Sequence, residues 1–122
     1  MLTSQKKTLY WQKCQGDVWC NLLKLNLEHE HFDNMEGVYV IWHAGTSPKT
    51  VYVGQGIIKN CLKRHKEEEE ILKFQNYNLY VTWANVTSDH RDGVEKYLIN
   101  QLSPLLGERA PDTDSIEVNL PW

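Results

Sequence analysis

A chain of 122 residues with 41% hydrophobic and 24% charged side chains is the size of one domain and can bury a real core without staples. Thirteen basic against sixteen acidic residues give a formal charge of −3, which excludes a general nucleic-acid coat and leaves room for a local basic face. No apolar run approaches a bilayer span and Met1 to Lys7 is polar, so the expectation is a soluble, cytoplasmic protein with no membrane contact and with Cys14, Cys20 and Cys61 reduced.

Residues 1–36 read as an N-terminal extension that packs on the domain after it. Gly16-Asp17 predicts the start of a short helix reaching about Leu25, with Asp17 as its cap. Glu28 to Asn34 is a polar connection. Gly37-Val38-Tyr39, continued by Val40 and Ile41, predicts a first strand; His43 to Lys49 is turn chemistry; Val51 to Gly54 predicts a second strand, broken by Gly54-Gln55-Gly56. A helix is predicted over 58–74, because Ile57, Ile58, Cys61, Arg64, His65, Glu68, Ile71 and Leu72 fall within one half of its wheel, with Lys59, Lys63, Lys66 and Glu67 to the sides or opposite. Leu79 to Ala84 alternates and predicts a third strand. A second helix over 91–102, capped by Ser88 or Asp89, carries the stripe Val94, Tyr97, Leu98 and Leu102 and stops before Pro104. The alternating Ile116, Val118 and Leu120 of the tail predict an added edge strand or a docked strap. The expected fold is α+β: a small three-stranded antiparallel sheet flanked by helices, with the extension at 1–36 and the domain, extended tail included, at 37–122.

Lys59, Lys63, Arg64, His65 and Lys66 form the densest cationic stretch of this acidic chain, followed at once by the four glutamates Glu67 to Glu70. A helix starting just after Gly54-Gln55-Gly56 can also turn backbone N–H groups toward a phosphate. The second helix sets Glu95 beside its apolar stripe. In this order, Gly37-Val38-Tyr39, Tyr52-Val53-Gly54, a helix bearing His65, and Gly93 to Leu98 with Glu95 resemble the landmarks of the GIY-YIG nuclease superfamily, over residues 37–109.

That resemblance implies a phosphodiesterase using one divalent ion, Mg²⁺ or Mn²⁺, with Glu95 as its hard oxygen ligand. It implies that one of Tyr39 and Tyr52 activates or orients the attacking water while the other hydrogen-bonds the scissile phosphate, and that His65 completes the proton-transfer network. Gln55 stands where some members place a phosphate-contacting lysine, and Lys59 and Lys63 are the nearest further substrate contacts. The implied partner is nucleic acid, DNA in particular; the acidic balance of the chain in turn predicts weak, salt-sensitive and sequence-tolerant binding, or targeting by a protein partner.

Two departures bear on activity. The position of the family's arginine, one helical turn before His65, holds Cys61, and losing one fixed charge-stabilising donor costs on the order of a hundredfold in rate. Arg64 lies on the same face and is the substitute cation, although it is equally placed to pair with Glu67, Glu68 or Glu70. The alternative is therefore a catalytically impaired module of the same fold that binds nucleic acid or a protein partner. The family's asparagine after the second helix is absent from 104–109, and Asn119 lies too far on to stand in for it. Cys14, Cys20, His29 and His31 lack the close spacing of a zinc knuckle. Cys61 with His65 as base is the pattern of a thiol nucleophile, against the simpler reading of a small packing residue. His43, near the end of the first strand, is placed to line the same cleft as Tyr39. The five tryptophans read as core and strap residues, with any exposed one available to stack on an unpaired base.

Overall fold

The computed structural model describes residues 6–107 and 109–122. Among the described residues six strands and three α-helices follow one another: β1 (Lys6–Lys7), β2 (Cys20–Asn21), β3 (Glu36–His43), β4 (Lys49–Ile57), α1 (Ile58–His65), α2 (Glu69–Leu72), β5 (Leu79–Asn85), α3 (Ser88–Leu102) and β6 (Glu117–Val118). The fold is α+β. Its main sheet runs β2-β5-β3-β4 with every neighbour antiparallel, and β1 pairs separately with β6 in parallel.

The sheet thus has four strands where three are expected, and the fourth comes from the N-terminal segment: Cys20 pairs with Val81 and Asn21 with Tyr80. The helix expected to start at Gly16-Asp17 does not form. Both residues are left-handed (φ 84° and 57°), so the chain doubles back; Cys14 bridges to Val18, and a disulfide joins Cys14 to Cys20. The expectation of reduced thiols fails for these two cysteines, while Cys61 remains a buried thiol. Asn21 instead caps a 3₁₀ turn over Leu22–Lys24 by accepting from the Leu23 N–H.

The long helix expected over 58–74 divides into α1 and α2. Glu68 sits between them in an extended conformation (φ −83°, ψ 124°). One continuous helix would set Glu67 and Glu70 three residues apart on one face, and the break relieves that like-charge pair. The second strand also outlasts its expected end, running to Ile57 with Gly37 opposite Gly56, whose φ of 137° only glycine adopts without strain.

A bulge decides which way β4 faces. Ile41 pairs with Tyr52 but Trp42 pairs with Thr50, so Val51 is the extra residue. Tyr52 and Gly54 consequently lie opposite Ile41 and Tyr39, while Val53 and Gln55 lie opposite Val40 and Val38 on the other face. The first face packs Tyr39, Ile41, Val81 and Trp83 against Ile58, Leu62 and Ile71; the second packs Val38, Val40 and Trp42 against Val94, Leu98, Ile116 and Val118. Each such aliphatic side chain, fully buried, contributes about 1.5–3 kcal/mol. Among the described residues no helix is long and apolar enough to cross a membrane.

Candidate functional site

The β3 alternation turns Tyr39 toward α1, where it meets His65 in the last turn of that helix. Both side chains are 1% exposed. The Tyr39 hydroxyl and His65 Nε2 are 2.6 Å apart, and His65 Nδ1 is hydrogen-bonded to the Glu68 carboxylate. An ionised carboxylate only accepts, so Nδ1 carries the imidazole proton and Nε2 accepts from Tyr39. Glu68, in extended conformation three residues past the end of α1, turns its side chain back to His65. Tyr52 completes the group: its ring stacks on Tyr39 at 6.1 Å and lies 4.5 Å from the His65 ring.

Burial sets the protonation states. It pushes the Tyr39 phenol far above its ordinary value, with Cys61 and Tyr52 adding to the effect and the Arg64 charge opposing it. Burial also lowers His65 below the usual histidine value, against the hydrogen bond and charge of Glu68, which raise it. At neutral pH Tyr39 is therefore a phenol and His65 a neutral imidazole.

Gln55 joins this row to a second set of groups across the edge strand. Its carbonyl oxygen accepts from the Cys61 thiol at 3.6 Å. Its side-chain amide, on the opposite face of the sheet, donates to Asp92 at 2.6 Å and to Glu95 at 3.3 Å. Asp92 and Glu95 are three residues apart on α3 and share one side of it. Both carboxylates are hard oxygen donors, and in this structure both accept from the Gln55 amide. Among the described residues no group of three or more His, Cys, Asp or Glu is placed to hold a metal.

The sequence-selected residues divide accordingly. Tyr39, Tyr52 and His65 come together; Gln55 and Glu95 come together; Cys61 stands between the two sets, beside Tyr39 and Gln55. Arg64 is at the rim, its side chain 59% exposed and 4.0 Å from Glu68, and its charge is felt at both Tyr39 and His65. Lys59 and Lys63 both turn to Glu28, Lys59 at 3.1 Å, and hold its carboxyl below the usual range through hydrogen bonds from Lys63 and then Lys59. With Lys66 donating to the Leu25 carbonyl at 2.9 Å, the basic helix clasps the N-terminal segment.

Glu68 and Asp92 were not selected from the sequence. Glu68 falls on the same half of the sequence-predicted helix as His65, with no role assigned to it there, and Asp92 lies three residues before Glu95 on one helical face. Beside Tyr52 a recess of about 270 Å³ opens, walled by Glu68, Glu70, Leu106 and Gly107. The zinc set is not assembled, since Cys14 and Cys20 are bonded to each other, His29 Nδ1 accepts from the His31 N–H, and His31 Nε2 accepts from Trp83. His43 packs flat on Phe74, and Asn119 pairs with Leu9 in the N-terminal arm. Scanned against known protein families, curated proteins and solved structures, the chain matches none.

Proposed function

We propose that the chain is a GIY-YIG-type domain that hydrolyses phosphodiester bonds of nucleic acid, DNA in particular, with one divalent ion, Mg²⁺ or Mn²⁺. The observation that carries this reading is the hydrogen-bonded row Tyr39–His65–Glu68, linked through Cys61 and then Gln55 to the carboxylates of Asp92 and Glu95. A phenol held so far above its ordinary value is no base on its own. Tyr39 takes a proton from the attacking water only as it passes its own to His65 Nε2, and the imidazolium so formed is held by the Glu68 carboxylate. Tyr52, stacked beside Tyr39, directs its hydroxyl to the phosphate. Glu95 and Asp92 would hold the ion, which when bound polarises the phosphate and stabilises the leaving oxygen. Arg64 is the substitute cation, and its charge favours the transiently deprotonated Tyr39.

One observation favours a second reading. The Cys61 thiol occupies the point between Tyr39 and Gln55, where a neutral group gives a developing phosphate charge no fixed counter-charge. On that reading the fold is a catalytically impaired module that binds nucleic acid or a protein partner. Nicking of supercoiled plasmid with Mg²⁺ or Mn²⁺ decides between them. The hydrolase reading expects nicking by the wild type and none by Glu95→Ala. A silent wild type with an active Cys61→Arg establishes the impaired module; no nicking by either ends the hydrolase reading.

A further inference from the structure

Cys14, Cys20, His29 and His31 are spaced too widely in sequence for a zinc knuckle, and the fold closes that distance. The left-handed pair Gly16-Asp17 turns the chain back on itself and sets the Cα atoms of Cys14 and Cys20 5.1 Å apart. After β2 and the 3₁₀ turn over Leu22–Lys24 the chain brings His29 and His31 to the same spot: all four residues line one pocket of about 300 Å³. Its apolar side is a shared one. Cys20, Phe32 and Trp83 belong to one buried cluster and Cys14 packs against it. The His31 ring lies 5.2 Å from that of Phe32 and 5.7 Å from that of Trp83.

We infer that this pocket is a redox-gated Zn²⁺ site, closed to metal in the disulfide form and opened by reduction, with Cys14, Cys20, His29 and His31 as its four ligands. While the bridge stands, the two sulfurs are bonded to each other, and no metal-binding group is assembled among the described residues. A dithiol reductant delivers two electrons and two protons to the bridge, is itself oxidised to a disulfide, and leaves two thiols. Zn²⁺ then displaces both thiol protons and is held by two thiolates. Both imidazoles already carry an unprotonated ring nitrogen, the form that binds metal: His29 Nδ1 accepts from the His31 N–H, and His31 Nε2 accepts from the Trp83 indole. Both histidines are exposed, so each can turn and exchange that one hydrogen bond for a metal bond.

The donor set chooses the ion. Two thiolates with two imidazoles suit tetrahedral Zn²⁺, whereas Mg²⁺ and Mn²⁺ ask for oxygen, and among the described residues that line the pocket none is Asp or Glu. Lys13 also lines the pocket, but its ammonium is drawn to Asp17 at 3.6 Å and lies 4.6 Å over the Trp19 ring. The N-terminal strand β2 is then anchored in either redox state, by the bridge when oxidised and by the ion when reduced. Reduction without metal only loosens it. None of the four ligands belongs to the proposed hydrolytic site, so the inference stands apart from that reading.

Titration with Co²⁺ of the full chain, reduced anaerobically with a phosphine and freed of metal, tests it. Expected is one equivalent bound with the intense visible bands of a tetrahedral ion and thiolate charge transfer, displaced by one equivalent of Zn²⁺. The oxidised chain should show neither band. His29→Ala and His31→Ala should each weaken Zn²⁺ binding about tenfold or more, and Cys14→Ser/Cys20→Ser should abolish it. Cys61→Ser should bind as the parent does. If His31→Ala fails to fold, His29→Ala, at an exposed position, carries the comparison. The inference is overturned if the reduced wild type shows no tetrahedral spectrum, if the folded histidine variants bind as the parent does, or if Cys61→Ser removes the signal.

Discussion

The Cα of Gly54 lies against the Tyr39 hydroxyl, so close that a methyl group built there would overlap the phenolic oxygen. The two residues face each other across the β3–β4 ladder. The glycine of the second tripeptide thus makes room for the tyrosine of the first, and the pair is one structural unit. Gly54→Ala should push the phenol away from His65, at a cost of about 1–3 kcal/mol for overpacking a closed core. A lowered urea midpoint together with a shifted imidazole resonance of His65 is the expected result; an unchanged His65 resonance would show that the phenol has not moved.

Stability should fall in mild acid because of His65. Its folded-state value lies below that of the unfolded chain, so above about pH 6.5 both states are neutral and the full stability is present. As pH falls, the unfolded chain takes up a proton first, and stability declines down through the folded value. Glu68→Gln keeps an acceptor for Nδ1 but removes the charge that holds His65 up. Its His65 should titrate at lower pH than in the wild type by NMR, and stability should go on falling to lower pH. Coincident titration curves would mean that the carboxylate does not support the imidazolium, and with it would go the last step of the proton row.

The basic face of α1 is engaged by Glu28 rather than open. Glu28→Gln should release Lys59 and Lys63 while leaving the melting temperature almost unchanged, since Glu28 is exposed. Binding to nucleic acid should then tighten at low salt, and the slope of log affinity against log salt should grow by as much as about two. An unchanged slope would take Lys59 and Lys63 out of the binding surface.

Reducing the Cys14–Cys20 disulfide reopens a loop with a sequence separation of 6, worth about 2 kcal/mol in chain entropy. Because Cys20 belongs to β2, the loss should appear as faster amide exchange at Cys20, Asn21 and their partners Val81 and Tyr80. The double variant Cys14→Ser/Cys20→Ser should match the reduced protein in denaturant midpoint; a midpoint equal to that of the oxidised protein would show that the bridge adds nothing.

Most of what local pattern controls was legible in the sequence. The β-branched runs around Tyr39 and Tyr52, the alternation from Leu79 and the stripe of α3 each declare their element within a few residues. What was not legible depends on distant partners. A two-residue strand such as Cys20–Asn21 has no periodicity and exists because β5 offers it an edge. The break at Glu68 is paired with a contact to His65. The facing of β4 turns on a single bulge at Val51: without it Val51 and Val53 share a face and Gln55 sits beside Tyr39, whereas with it Gln55 reaches α3. The site was therefore read as one cleft, while the structure divides it between two faces joined by one glutamine.

Asn119 accepts from the Leu9 N–H at 2.7 Å and donates to the Leu9 carbonyl at 3.0 Å, pairing residues 110 positions apart, and the Trp11 indole adds a bond to its carbonyl. Closing a loop of that length in a disordered chain costs about 4 kcal/mol of entropy before any contact is gained. The β3–β4 hairpin needs only a short turn, so it can form early, and the two arms can meet only once the sheet and α3 have drawn them together. The arms are in this sense the last stitch of folding and the first to loosen: the Leu9 amide should exchange with solvent well before that of Val40, and Asn119→Ala should speed unfolding while leaving the folding rate nearly untouched.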